Sequence, residues 1–163
     1  MVCVSGPRAN LLINMRETFF ILGGSVSAIA ALAHLGIIVS GAHAYRFFRA
    51  PDSYADAVAR GSLKPHVVTA IIATILFTWS AYAFSAAGIF APLPLLPWII
   101  TAITAVYMIR GLALLLQLYK INIFTAGHRV VTRDLVFSGI VLSTGFMHLV
   151  ATIDLFRNLP AMN

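Results

Sequence analysis

The chain is poor in charged residues and in the groups that carry out polar chemistry. Only 10% of its 163 residues are charged, and Asp and Glu together number five. Soluble domains carry about 25% charged residues, and no hydrophilic stretch of this sequence is long enough to form a separate soluble domain. Cys3 is the only cysteine, which excludes an intrachain disulfide and a thiolate metal cluster. The composition therefore predicts a single domain.

Several motifs of catalysis and of nucleic-acid binding are also missing. The sequence contains no Gly-rich phosphate loop, no nucleophile elbow and no catalytic pair of carboxylates within its apolar stretches. Its net charge of +6 is not arranged as a basic run with interleaved aromatic residues, which argues against a nucleic-acid partner. These absences favour binding over catalysis, and we predict no cofactor.

What the chain has instead is four long apolar stretches. Each is long enough to cross, as an α-helix, a bilayer core about 30 Å thick. We predict an all-α integral membrane protein, namely an antiparallel four-helix transmembrane bundle with a short cytoplasmic interfacial helix in the first loop. The predicted spans cover approximately residues 19–44, 66–89, 97–119 and 133–156.

The same pattern sets the domain organisation. Residues 19–157 form the single four-span bundle, between an N-terminal tail (1–18) and a C-terminal tail (158–163). The segment before Met15 has no clear pattern, and the sequence is compatible with translation starting at Met1 or at Met15.

Basic residues between the apolar stretches predict the orientation, because positive charge collects on the cytoplasmic side of membrane proteins. The first and third loops share one side and carry seven basic residues, whereas the terminal segments carry three and the second loop carries none. We therefore expect these two loops in the cytoplasm and both termini outside it. The seven are Arg46, Arg49, Arg60, Lys64, Lys120, Arg129 and Arg133, and the three are Arg8, Arg16 and Arg157.

Local signals predict the structure of the first two loops. In the first loop Ser53 and Asp56 fit a capping box, and Asp56 lies at i,i+4 spacing from Arg60, so we expect a short helix over Asp52–Arg60. In the second loop Gly88 fits a left-handed helix end, and the prolines that follow it prevent the helix from continuing.

Small residues recur at helical spacing on each apolar stretch. Lipid supplies no hydrophobic drive between helices, and small residues let helix backbones approach closely, so these residues predict the contact faces. They include Gly23, Ser27 and Ala31 in the first stretch, Ala81 and Ser85 in the second, Thr104 and Gly111 in the third, and Gly145, Ala151 and Thr152 in the fourth.

Arg110 lies well inside the third apolar stretch. Exposing its charge to lipid costs about 2.5–3.5 kcal/mol on insertion scales. Two interpretations are open: the guanidinium meets an anionic partner, or it extends to the cytoplasmic lipid phosphates. Tyr107 and Gln117 lie close to the same helix face, which makes Tyr107, Arg110 and Gln117 candidate binding residues.

His34 is the fourth candidate binding residue. It either hydrogen-bonds a polar group of a neighbouring helix or acts as an axial ligand or proton carrier. No second histidine lies at a matching depth, which argues against a bis-histidine haem. We predict no metal site, and His148 and Asp154 are only weak candidates for one because they do not share a helical face.

Four features of the middle two stretches occur together. They are the entry at Gly61-Ser62 with Pro65, the exit Ser85-Ala86-Ala87-Gly88, the Pro-Leu-Pro-Leu-Leu turn and the Tyr107…Arg110-Gly111-Leu112 element. In these features the segment resembles a family of small four-helix bacterial inner-membrane proteins with no assigned activity. The resemblance implies a bacterial source and four spans, and no catalytic residues.

We expect the protein to act by binding, as an accessory or protective subunit of a membrane assembly in the bacterial inner (plasma) membrane. Its expected partners are the lipid bilayer and other membrane subunits or further copies of itself. Two alternatives stay open. One is a membrane-embedded redox enzyme or a quinone- or haem-binding protein with its site near His34, Tyr107 and Arg110. The other is an oligomeric channel or transporter for small anions, with Arg110 as the selectivity charge.

Overall fold

A computed structural model describes the backbone of residues 7–48, 50–118 and 132–157, and the side chains of residues 15–48, 50–113 and 135–157. Within these residues the protein is all-helical, with six helices and no strand, which confirms the predicted helical class. The helices are α1 (Pro7–Ser40), α2 (Ala42–Phe47), α3 (Asp52–Ala59), α4 (Lys64–Ala86), α5 (Leu96–Leu118) and α6 (Thr132–Arg157).

Four of these helices are long and apolar enough to cross a membrane, as the sequence predicted. Large apolar side chains are exposed along all four, for example Ile29 in α1, Ile71 in α4, Ile109 in α5 and Phe146 in α6. The apolar segments are Met15–Ser40, Lys64–Ala86, Leu96–Ala113 and Leu135–Arg157.

The first helix differs from the predicted first span at both ends. It begins at Pro7, so it includes much of the segment that the sequence analysis assigned to an N-terminal tail. It ends at Ser40 because Gly41 has a φ of 68°, in the left-handed region that residues with a Cβ rarely adopt. The chain then starts again as α2, so helix α1 stops before the predicted limit at residue 44.

The chain divides into two compact units, which we describe separately. The central unit is Gly24–Ala81, and the terminal unit consists of the described residues of Met1–Gly23 and Tyr82–Asn163.

In the central unit, α3 buries its apolar face against α2. Ala55 is fully buried in a cluster with Ile37, Ala44 and Tyr45, and Tyr54 packs against the same cluster. The polar face of α3 stays exposed. The predicted short helix is therefore present, and its apolar side is covered by protein.

The ends of α3 differ from the predicted capping box. Pro51 is the N-cap and no side chain caps the helix, so Ser53 lies one residue inside it. Asp56 pairs with Arg46 of α2 at an N–O distance of 3.1 Å, and not with Arg60 as the spacing suggested. The packing of α3 on α2 explains the difference, because it brings Arg46 beside the carboxylate.

Tyr45 attaches α2 to the start of α4. Its hydroxyl lies 2.9 Å from Thr69 Oγ1 and 3.3 Å from His66 Nδ1. The Thr69 hydroxyl in turn donates to the Pro65 carbonyl at 2.8 Å. Because the Pro65 carbonyl only accepts, the Thr69 hydroxyl is its donor. The Tyr45 hydroxyl therefore donates to Thr69 and accepts a hydrogen bond from His66 Nδ1.

In the terminal unit, α4 ends in the turn that the sequence predicted. Gly88 has a φ of 79°, and its N–H bonds the Ser85 carbonyl while the Ile89 N–H bonds the Phe84 carbonyl, which is a Schellman motif. The Ser85 hydroxyl stabilises the loop twice: it donates to the Ala91 carbonyl at 3.1 Å and accepts the Leu93 N–H at 3.0 Å.

Helices α5 and α6 pack antiparallel. Trp98 near the start of α5 contacts Phe156 near the end of α6, with ring centroids 6.2 Å apart. Further along α5, Thr104 hydrogen-bonds Thr152 between hydroxyls 3.1 Å apart. Gly111 then meets Leu142 at the point of closest approach. The contacts thus run backward along α6 as they run forward along α5.

We expect Gly111→Ala to weaken this packing. A Cβ at Gly111 would lie 2.8 Å from Leu142 Cα, a backbone atom that moves only if its helix moves. Overpacking of this kind costs about 1–3 kcal/mol, and thermal or SDS-induced unfolding in detergent would report the loss. Gly139→Ala on α6 is the matched control, since nothing lies within 4 Å of its added Cβ. Equal losses in the two variants would contradict the close approach.

Candidate functional site

In the terminal unit, α1 packs against the C-terminal half of α6. Phe20 and Gly23 of α1 both contact His148 of α6. Counted from Arg16, Phe20 is at position i+4 and Gly23 at position i+7. These three residues therefore share one face of α1. This face of α1 thus carries the charge of Arg16 and, one to two turns later, the apolar contact of Phe20 and Gly23.

His148 is the buried centre of this contact. Its side chain is completely buried, between the rings of Phe20 and Tyr107, whose centroids each lie 5.6 Å from that of the imidazole. Gly23 completes the enclosure, because a Cβ at this position would overlap His148 Nε2. The absence of a side chain at Gly23 is therefore what lets α1 approach the imidazole.

Neither ring nitrogen of His148 has a hydrogen-bond partner within the described part of the chain. An unsatisfied buried polar group costs about 1–3 kcal/mol. The ring is held by the packing of Phe20, Tyr107 and Gly23 around it rather than by polar contacts. Among the described residues no group of three His, Cys, Asp or Glu side chains is placed to hold a metal ion.

A cleft opens between the same two helices, close to the end of α6. Its volume is about 300 Å³, and Arg16, Asp154 and Arg157 are the charged side chains in its lining. Asp154 lies six residues beyond His148, which is about 9 Å along α6. The two weak metal candidates thus lie in different places, one in the core and one at the cleft. The apolar lining consists of Met15, Val150, Ala151 and Ile153.

The Nε atom of Arg16 is buried in the cleft region and has no hydrogen-bond partner among the described residues. From the sequence, Arg16 was expected only to contribute to the charge asymmetry that predicts orientation. The sequence feature that could have identified Arg16 is its spacing to Phe20 and Gly23, which places it on the contact face of α1. A single sequence does not show that this face meets α6.

The other predicted site residues are distributed over both units. His34 belongs to the central unit, is half-buried, and donates from Nδ1 to the Ala30 carbonyl of its own helix at 2.7 Å. Tyr107 belongs to the terminal unit and is buried against His148. Gln117 lies in α5, and its side chain is outside the described residues.

Arg110 is exposed, one turn after the buried Tyr107. Its exposed neighbours on α5 are apolar, and they include Val106, Ile109 and Leu112. Within the described residues, no hydrogen bond or ion pair engages the Arg110 guanidinium. Arg110 therefore presents a charge on an exposed apolar surface of α5, separate from the buried imidazole.

We expect Gly23→Ala to destabilise the terminal unit through His148. The added methyl group would overlap a ring that is enclosed on its other sides, at a cost of about 1–3 kcal/mol. In a His148→Ala background the methyl group enters vacated space, so the cost should disappear. Unfolding in detergent of both single variants and the double variant measures this coupling.

Gly36→Ala is the control for this cycle, because nothing lies within 4 Å of its added Cβ on the same helix. The same loss from Gly23→Ala with and without the imidazole would contradict the contact.

Comparisons with protein-family models, with curated proteins and with solved structures found no match. The resemblance of the middle spans to small bacterial inner-membrane proteins stays a prediction.

Proposed function

We propose that this chain is a multi-pass protein of the bacterial inner membrane that acts by binding, as an accessory or protective subunit of a membrane assembly. Exposed Arg110 on an apolar helix surface is the observation that carries the binding role. Loops one and three face the cytoplasm in this proposal, and both termini lie outside it.

Lipid as the surrounding solvent accounts for the exposed surface. Side chains such as Val39, Ile29 and Ile109 are 88%, 66% and 64% exposed, which water would penalise along four helices at once. The aromatic pairs Trp98–Phe156 and Phe47–Phe48 lie at helix ends, where amphipathic and aromatic rings favour the membrane interface.

The geometry of Arg110 favours a partner over extension to the headgroups. Arg110 lies eight positions before Leu118, the last described residue of α5, which is about 12 Å of helix. Side chains on a helix tilt toward its N-terminus, so Arg110 leans away from the C-terminal end of its own helix. A carboxylate on a neighbouring subunit would satisfy the guanidinium where it is.

The alternative functions receive less support from the same residues. The redox alternative needs Tyr107 and Arg110 at one ligand, but Tyr107 is buried against His148 and Arg110 is exposed. The anion-channel alternative needs an oligomer in which Arg110 lines a pore. We retain it as an outcome of the partner experiment below.

The orientation is tested by labelling single cysteines in a Cys3→Ser background. Pro92→Cys and Ser53→Cys place thiols at exposed positions of the second and first loops. In intact spheroplasts we expect a membrane-impermeant maleimide to label position 92 and to leave position 53 unlabelled until the membrane is permeabilised. The reverse pattern would overturn the proposed orientation.

The binding role is tested by photocrosslinking beside Arg110. A photoreactive residue at Ile109 should capture a partner in native membranes, and the capture should fall at least about tenfold in Arg110→Gln, because an unpaired acid buried at an interface is costly. The captured peptide should carry an Asp or Glu inside an apolar segment. Arg60→Gln, which removes an exposed cation elsewhere, should leave the capture unchanged.

Two results would count against an accessory subunit. One is a purified chain that runs as a clean monomer with no crosslink at Ile109. The other is a crosslink only to a second copy of the chain, which would move the argument to the oligomeric channel.

A further inference from the structure

The cleft of the terminal unit contains an uneven set of charges. Arg16 and Arg157 are two cations, and Asp154 is the single acid in the described lining. The buried Nε of Arg16 has no acceptor among the described residues. A charged donor buried in this way gains most from an anionic oxygen, because charge-assisted hydrogen bonds are stronger than neutral ones.

Two features favour a position of the cleft at the level of lipid headgroups. Arg157 is a basic residue in the last turn of α6. Trp98, at the start of α5, packs on Phe156, directly beside Arg157 in the chain. Tryptophan is enriched at membrane interfaces, so the start of α5 and the end of α6 carry residues typical of the headgroup region.

We propose that this cleft binds the phosphate headgroup of a membrane phospholipid, held between the guanidinium groups of Arg16 and Arg157. The planar guanidinium fork matches phosphate oxygens in pairs. The carboxylate of Asp154 suits a headgroup that also carries a donor, as the ammonium of phosphatidylethanolamine or the hydroxyls of phosphatidylglycerol do.

The size and apolar lining of the cleft fit the same occupant. A volume of about 300 Å³ is at the lower limit of small-molecule sites, so it accommodates a headgroup but not a whole lipid. Met15 and Ile153 are partly exposed beside the charged residues, where the first methylene groups of the acyl chains would contact them. The chains themselves would continue along the exposed apolar faces of the helices.

This inference rests on the proposed insertion in a membrane, but it uses neither Arg110 nor a protein partner. A failed crosslink at Ile109 therefore leaves it intact. Failure of lipid binding in turn leaves the accessory role intact, so the two proposals fail separately.

The test is native mass spectrometry of the full-length chain released from nanodiscs that contain phosphatidylethanolamine and phosphatidylglycerol. We expect one lipid to stay bound per chain under conditions that strip bulk lipid. Arg16→Gln and Arg157→Gln should each lower the retained fraction at least about tenfold, as the loss of charge-assisted hydrogen bonds predicts. Arg60→Gln/Lys64→Gln removes two exposed cations from the first loop and should retain the lipid.

Competition identifies the source of the phosphate. Short-chain phosphatidylethanolamine should displace the retained lipid, whereas glycerophosphoethanolamine and inorganic phosphate at the same concentration should not. If the two acyl-free compounds displace the lipid at equal concentration, the cleft binds a soluble phosphate compound, and the proposal of a phospholipid is overturned. Equal retention in Arg16→Gln, Arg157→Gln and the control would overturn the site.

Conservative variants control for the possibility that lipid is lost because the protein unfolds. Arg16→Lys and Arg157→Lys keep the charge and lose the guanidinium fork, so we expect intermediate retention with unchanged helical content by circular dichroism. Wild-type retention in both lysine variants would show that charge alone suffices and would overturn the paired-guanidinium geometry.

Discussion

Contact between helices at glycine is the interaction on which the terminal unit depends. Gly111 lets α5 approach the backbone of α6 at Leu142, and Gly145 lets α6 approach the backbone of α5 at Met108. Gly23 does the same for α1 at the ring of His148. In the proposed lipid surroundings, where apolar surfaces gain nothing by leaving the solvent, such close contact and its dispersion energy would replace the hydrophobic effect as the source of packing. The buried imidazole is tolerated because this packing surrounds it.

The polar side chains of the long helices fall into two physical classes. Threonine hydroxyls are satisfied within their own helix: Thr74, Thr78 and Thr101 donate to the carbonyl four residues earlier, and all three are exposed. A threonine on the outer surface therefore requires no partner. A guanidinium has five donors and a charge, which one backbone carbonyl does not satisfy. This contrast explains why the argument for a binding role rests on Arg110 and not on the exposed threonines.

Local structure was predictable from the sequence wherever a single segment determines it. The number of long helices follows from the apolar stretches, and the end of α4 follows from Gly88 with the prolines after it. The short helix α3 was also predicted, but not its N-cap at Pro51 or its ion pair, because the partner of Asp56 is selected by packing on α2. The break at Gly41 was missed, since an isolated glycine in an apolar stretch is also compatible with a continuous helix.

For the candidate sites too, features set by one helix could be predicted, whereas contacts between helices could not. Periodicity identified Gly23 and Gly145 as members of contact faces, but it does not say which faces meet. The contact of Phe20 with His148, and the cleft with Arg16 that follows from it, depend on the pairing of α1 with α6. Tyr107 and Arg110 looked like neighbours on a polar face, and the structure separates them into a buried and an exposed residue.

The loop between α4 and α5 has a consequence for how the protein is made. Residues 87–95 contain no charged side chain, and Ser85 with Tyr82 ties the loop to the end of α4 through bonds to Ala91, Leu93 and Pro94. A loop of this kind carries no ionic hydration shell that must be shed while it traverses hydrocarbon. During biogenesis in the proposed orientation, this loop would consequently cross the hydrocarbon without the cost that a charged loop meets, while the basic loops stay on the side of the ribosome.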